Sequence, residues 1–147
     1  MHSFENLPPC AMTNCFNHRG FDAIISAYQL SGGTARADDL ELMLEEKRKH
    51  RFVSVARQIA LRDIFSFEWQ SQFWVPMFQF YPQDLTVRQE VVRVVHELTS
   101  VLDNWTLAVW FTEPHSWLRG RRPVDMMDSH FSDVLNAARA DRFVAAG

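Results

Sequence analysis

Ile64-Phe65-Ser66-Phe67-Glu68-Trp69, then Gln70-Ser71-Gln72, then Phe73-Trp74-Val75-Pro76-Met77-Phe78-Gln79-Phe80: within this stretch the apolar period of the chain changes. On either side, apolar residues recur at helical spacing. Inside it they alternate, or nearly so, and the composition is dense in aromatic and β-branched residues. That pattern predicts a β-hairpin. The fold class is therefore α+β and mainly α. The connection lacks the Asn-Gly or Asp-Gly of a two-residue turn, so register stays open. Pro76 cannot donate to a ladder, which predicts an edge position for its strand.

Working towards the N-terminus, the spacing predicts three short helices. The first covers Phe21–Leu30, with Phe21, Ile24, Ile25 and Tyr28 on one face, and ends at Ser31-Gly32-Gly33. The second is capped by Thr34 or Asp38, carries Leu40, Met43 and Leu44 as its apolar stripe, and has Asp39 and Glu41 near its positive end. It closes on Lys47, Arg48 and Lys49, the charge sign that suits a helix C-terminus. The third covers Phe52–Asp63, with Phe52, Val55 and Ile59 inward and Arg57 and Arg62 outward. Three helices and then a hairpin is the order of a winged helix-turn-helix. Residues 1–19 contain Pro8-Pro9 and little periodicity, and read as a flexible leader.

Towards the C-terminus, Tyr81-Pro82-Gln83-Asp84 reads as a loop. Val87, Val91, Val94, Val95, Leu98, Val101 and Leu102 predict one long amphipathic helix. Asp103-Asn104 breaks it, and Trp105–Thr112 is apolar enough for a buried helix. A last helix covers Phe131–Ala146, with Phe131, Val134, Leu135, Ala138 and Phe143 inward. The chain thus divides into a leader (1–19), a helical region with a hairpin (20–84) and a small helical bundle (85–147).

Composition bounds the function. An apolar share of 47% over 147 residues supports one buried core. Twelve Phe, five Trp and two Tyr are many rings for so small an interior, and partly exposed rings are typical interface anchors. A net charge of −3 disfavours a uniformly basic nucleic-acid binder and leaves room for a local patch. No apolar run approaches the roughly 20 residues that span a bilayer, and the start lacks a signal-peptide pattern. The expectation is a cytoplasmic chain without a membrane partner. Cys10, Cys15 and His18 lack a fourth ligand and standard spacing, so neither metal nor cofactor is expected.

The densest functional signal is Trp110-Phe111-Thr112-Glu113-Pro114-His115-Ser116-Trp117-Leu118-Arg119-Gly120-Arg121-Arg122-Pro123-Val124-Asp125-Met126-Met127-Asp128. A hydrophobic helix stops at Pro114. Arg119, Arg121 and Arg122 surround Gly120, and Pro123 opens a new helix. Clustered guanidiniums repel unless an anionic or aromatic partner offsets them, and arginine is enriched at interfaces. The competing reading pairs them internally with Glu113, Asp125 and Asp128.

This stretch resembles the toxin-binding domain of Xre/MbcA/ParS-type antitoxins, whose signature is roughly W-[LF]-x-T-P-N-x-x-L-G-G-x-x-P-x-[DE]-L-L. The resemblance covers about residues 64–146, with the specific motif in 107–128. Trp110, Pro114, Leu118, Gly120, Pro123 and Asp125 match it. His115 stands where the family usually has Asn, and Arg119 where it has the first of two glycines. Phe78-Gln79-Phe80 is similar to a P-x-F-Q-F strand of many members. The resemblance implies a protein-binding module, not an enzyme. Its implied partner is a toxin of the RES type, an NAD-degrading or NAD-phosphorylysing enzyme, whose active site it occludes. The partner-binding set is then Trp110, Pro114, His115, Trp117, Leu118, Arg119, Gly120, Arg121, Arg122, Pro123 and Asp125. Family members often dimerise, and the apolar helices permit a homodimer.

Two other readings stay open. Lys47, Arg48, Lys49, Arg51, Arg57 and Arg62 form a run of cations with no acid between them, able to meet the phosphates of promoter DNA. A transcriptional regulator acting through the winged half is thus the alternative. Against it, the usual glycine of a helix-turn-helix is missing. The other is an orphan protein-interaction scaffold. Enzyme motifs are weak: the six histidines show no metal-protease spacing, and neither a phosphate loop nor a nucleophile elbow is present. The hairpin rings invite a stacking platform for single strands. Gluing the hairpin to the helices is the commoner use, with Trp69 or Trp74 left exposed.

Overall fold

The computed structural model describes residues 20–48 and 54–147. The elements run in order: α1 (20–28), β1 (Thr34–Arg36), α2 (Ala37–Arg48), α3 (Val55–Ala60), β2 (Phe67–Trp69), β3 (Gln72–Pro76), α4 (Gln89–Leu98), α5 (Asn104–Trp110), α6 (Pro123–Met126) and α7 (Phe131–Ala146). Short 3-10 turns lie at Gln29–Ser31, Met77–Gln79 and Ser116–Leu118. The class is α+β, mainly α, as expected.

Alternation in the hairpin is real, but the sheet has a third strand. Its order is β1-β3-β2, all antiparallel. β1 places Ala35 opposite Val75 and Arg36 opposite Trp74. Three residues are too few to show a period, so the sequence gives no sign of it. Gly32 makes β1 reachable: at φ 111° it turns the chain back after the first helix, a conformation that costs glycine little. The edge position expected for the Pro76 strand is overturned. β3 is central, and Pro76 is its last residue, opposite Thr34, so the missing N–H falls at a strand end. Helix, strand, two helices and a hairpin give a winged-helix-like order.

Hairpin register follows from a two-residue turn. Gln70 and Ser71 both take positive φ, 50° and 63°, as a type I′ turn requires. Phe67 then faces Trp74, and Glu68 faces Phe73. The inner rings meet Phe21 from α1, which stacks on Trp69 at 5.1 Å and meets Trp74 edge-on at 5.1 Å. The exposed ring is therefore Phe73, not Trp69 or Trp74. Phe65, Phe67, Phe78 and Phe80 are buried, which removes them from any stacking platform.

The strand expected to run on to Phe80 instead becomes a 3-10 turn at Met77–Gln79. Gln79, fully buried, explains this. Its Oε1 accepts from the Phe65 amide at 2.8 Å, and its Nε2 donates to the carbonyls of Phe65 and Pro76, both at 3.0 Å. One side chain thus stands in for the missing strand partner.

Two apolar clusters result. The smaller joins Leu40, Leu44, Val55, Ile64, Val75, Phe80 and Leu85. The larger gathers Ile24 and Tyr28 of α1, Phe65, Phe67 and Phe78 of the hairpin region, and the inner faces of α4, α5 and α7, so it crosses residue 84. Phe65 and Phe111 stack at 5.3 Å within it. Within it the buried Tyr28 phenol donates to the Ala108 carbonyl, and burial pushes its pKa well above the usual value.

α4 is shorter than its valine pattern suggested. It ends at Leu98, and Val101 and Leu102 curl back onto the Leu98 carbonyl. Val87 lies before the helix, bridged to Phe80. Asp103 then caps α5 through the Thr106 amide, at 2.7 Å. α7 has the expected bounds, but Phe143, expected inward, is 80% exposed. Arg139 and Arg142 of α7 reach Glu97 of α4, and the last turn of α7 beyond them, residues 143–146, is exposed among the described residues.

Candidate partner-binding turn

The arginine turn hangs between α5 and α6 and closes on itself. The His115 amide donates to the Arg121 carbonyl at 3.0 Å, and the Gly120 amide donates to the His115 carbonyl at 2.9 Å. Arg119 and Gly120 take successive left-handed conformations, φ 58° and 79°. Glycine does this freely, whereas arginine is strained by its Cβ. Leu118 anchors the turn from within, and the Val124 amide donates to the Phe111 carbonyl, which fixes α6 against α5.

His115 fixes the other side. Its Nδ1 accepts from the Trp117 amide at 3.1 Å, and its Nε2 lies 2.8 Å from Asp141 Oδ2 on α7. An accepting Nδ1 leaves Nε2 as the donor of the neutral ring. Trp110 Nε1 donates to the same Asp141 oxygen at 2.7 Å, and the Trp110 ring meets His115 edge-on at 5.8 Å. Sequence reasoning missed Asp141. It lies 26 positions from His115 in a helix, and no spacing connects them.

The three arginines separate. Arg122 is bound internally: Nε and Nη2 fork onto the Asp125 carboxylate at 2.8 and 3.0 Å, and Nη1 donates to the Ala27 carbonyl at 3.0 Å. The Asp125 hydrogen bond raises its already high pKa. Internal pairing is therefore right for Arg122 and Asp125. Asp128 instead pairs with Arg88. Arg119 and Arg121 are exposed and make no ion pair with any described residue. Trp117, in the same turn, is 61% exposed.

The expected partner-binding residues thus divide. Trp117, Arg119, Arg121, Gly120 and Pro114 are at the surface. Leu118 and Pro123 are buried, and Trp110 and His115 are mostly covered, so these four support the turn from within. Gly120 contributes through its backbone, since a Cβ there would meet nothing within 4 Å.

Of the expected phosphate-contacting cations, Lys47, Arg57 and Arg62 are exposed. Arg48 ends α2, and Lys49 and Arg51 lie outside the described residues, as do Cys10, Cys15 and His18. Arg62 donates to the Thr99 carbonyl at 3.1 Å. The outward positions of α3 are Ala56, Arg57 and Ala60, of which one can read bases. Among the described residues, no His, Cys, Asp and Glu cluster can hold a metal ion, and no helix is long and apolar enough to cross a membrane. No family model, curated protein or solved structure matches this chain.

Proposed function

We propose that this chain is an antitoxin-like protein-binding module that docks on a RES-type toxin through the 115–121 turn and occludes its active site. The observation that carries the reading is the company Trp117 keeps. A large ring, 61% exposed, shares one short turn with Arg119 and Arg121, which form no ion pair with any described residue. Tryptophan and arginine are the residues most enriched at binding hot spots. The turn behind them is closed by backbone bonds and bolted to α7, so docking orders little that is mobile. Glycine would relieve the strain at Arg119, yet a charged side chain stands there, and backbone strain concentrates at working sites. The partner surface should carry carboxylates around an apolar recess.

The test is co-purification of the tagged chain with a RES-type enzyme, followed by its NAD consumption. Inhibition at one-to-one stoichiometry is expected. Arg119→Glu with Arg121→Glu should weaken binding about a hundredfold and leave the thermal transition in place. Arg122→Ala should mainly lower stability, since its bonds are internal. Full inhibition by the double variant, or no inhibition by the native chain, overturns the reading.

A second reading, a DNA-binding regulator, rests on the winged-helix-like strand order. It predicts a mobility shift of promoter DNA that Arg57→Ala abolishes. The acidic start of α2 and the alanines of α3 weigh against it.

A further inference from the structure

The His115 ring accepts a hydrogen bond on one side and donates one on the other, and the pair of roles belongs to its neutral form. Nδ1 accepts from the Trp117 amide at 3.1 Å, and Nε2 lies 2.8 Å from Asp141 Oδ2. The first contact has the layout of an Asx turn, in which a short side chain takes up the amide two residues on. It caps the 3-10 turn at Ser116–Leu118, and that amide has no other acceptor among the described residues. An amide oxygen fills this place at any pH. An imidazole nitrogen fills it only while unprotonated, and imidazoles change charge between about pH 5 and 8.

The surroundings decide what the charged ring does. Its side chain is 12% exposed, and Asp141 of α7 is its ion-pair partner among the described residues. The Trp110 indole of α5 donates to the same Asp141 oxygen, which keeps the carboxylate in place, and its ring meets His115 without bringing a charge. Glu113, Arg119 and Arg121 of the same loop are exposed and form no ion pair with any described residue. Protonation therefore keeps the Nε2–H bond to Asp141 and makes it an ion pair. Nδ1 gains a proton that points at the Trp117 amide. Two N–H donors then face each other, and that bond is lost.

We propose that His115 is a proton-operated latch on the turn that carries Trp117: the neutral ring holds the Trp117 amide, and the imidazolium, retained by Asp141, releases it. The cap is present at high pH and lost as pH falls through the titration of the ring. The latch belongs to the turn itself. Only its consequence for docking, weaker binding through Trp117 in acid, rests on the proposed partner.

Nuclear magnetic resonance of the full chain, with no partner present, tests the latch apart from that reading. Ring-nitrogen spectra report the tautomer and charge of His115. Water exchange reports the protection of the Trp117 amide relative to an unfolded peptide at the same pH. At about pH 8 the ring should be neutral with its proton on Nε2. Towards about pH 5 it should become charged, and Trp117 protection should fall about fivefold with the same midpoint, the size of a lost cap. The Gly120 amide, which donates to the His115 carbonyl, should change by less than about twofold. His115→Asn offers an amide oxygen in place of Nδ1 and should keep Trp117 protected, without a step, over the whole range. A neutral ring with its proton on Nδ1 overturns the proposal. So does a ring whose charge is constant between about pH 5 and 8, Trp117 protection that ignores the titration of the ring, or the same step in His115→Asn.

Discussion

His115 Nε2 lies 2.8 Å from Asp141 Oδ2, and this contact ties the start of the arginine turn to the last helix. The same oxygen accepts from Trp110 Nε1. Asp141→Ala therefore strands two part-buried N–H donors at once. Each unmade bond to a charged group costs about 1–3 kcal/mol. We expect a loss of about 2 kcal/mol in denaturant unfolding, together with weaker partner binding, because Trp117 is positioned through His115. Asp141→Asn retains one acceptor and should recover part of both. Stability unchanged in Asp141→Ala would show that the clamp does not hold in solution.

Gln79 gives a sharper stability test. It is fully buried and makes bonds to three backbone groups of Phe65 and Pro76. Gln79→Leu keeps the volume and leaves those groups unpaired in the core. The expected loss is about 3–5 kcal/mol, among the larger effects of single substitutions. Gln79→Glu should also destabilise the chain, because it replaces the Nε2 donor with an acceptor facing two carbonyls. Urea denaturation compares all three chains, and a Leu variant within about 1 kcal/mol of the native chain contradicts the role given to this amide.

How much of this was legible in the residues divides along physical lines. Strongly periodic segments read well: α7 begins and ends where expected, and the α1 face of Ile24 and Tyr28 is the one buried. Periodicity does not report where a partner element stops, so Phe143 and the length of α4 were misread. β1 was invisible because three residues carry no period, and Pro76 misled because its place at the strand end depends on that unseen neighbour. At the turn, sequence marked the exposed Trp117, Arg119 and Arg121. It could not separate them from Arg122, whose partners Asp125 and Ala27 lie three residues ahead and across the fold.

The hairpin turn can be improved. Gln70 and Ser71 both adopt left-handed backbone that ordinary side chains resist. Asn-Gly is the pair that suits such a turn. Gln70→Asn with Ser71→Gly should raise stability by about 1 kcal/mol, within the range of such backbone substitutions. That is a shift of roughly 2–4 °C for a chain of this size, measurable by calorimetry. A lower transition temperature would mean the two-residue turn is not the one adopted.

Glu97 makes the pH dependence predictable in sign. From α4 it accepts hydrogen bonds from Arg142 at 2.8 Å and Arg139 at 3.2 Å, both on α7. The Arg142 hydrogen bond, offset in part by burial and reinforced by Arg139, holds its pKa below the ordinary 4.5. A depressed carboxyl stabilises the fold at pH values above its unfolded pKa, and that stabilisation is lost as pH falls through the lower folded value. Both arginines are about half exposed, at 54% and 52%, so solvent screening keeps the effect small. The native chain should exceed Glu97→Gln by about 0.5–1 kcal/mol at pH 7, with the gap narrowing once pH drops below 4.5. Raising salt at pH 7 should narrow it too, because exposed pairs are screened. Urea unfolding of both chains at pH 7, 5 and 3 measures this, and a gap that persists undiminished at pH 3 would assign the effect to packing of the side chain and not to its charge.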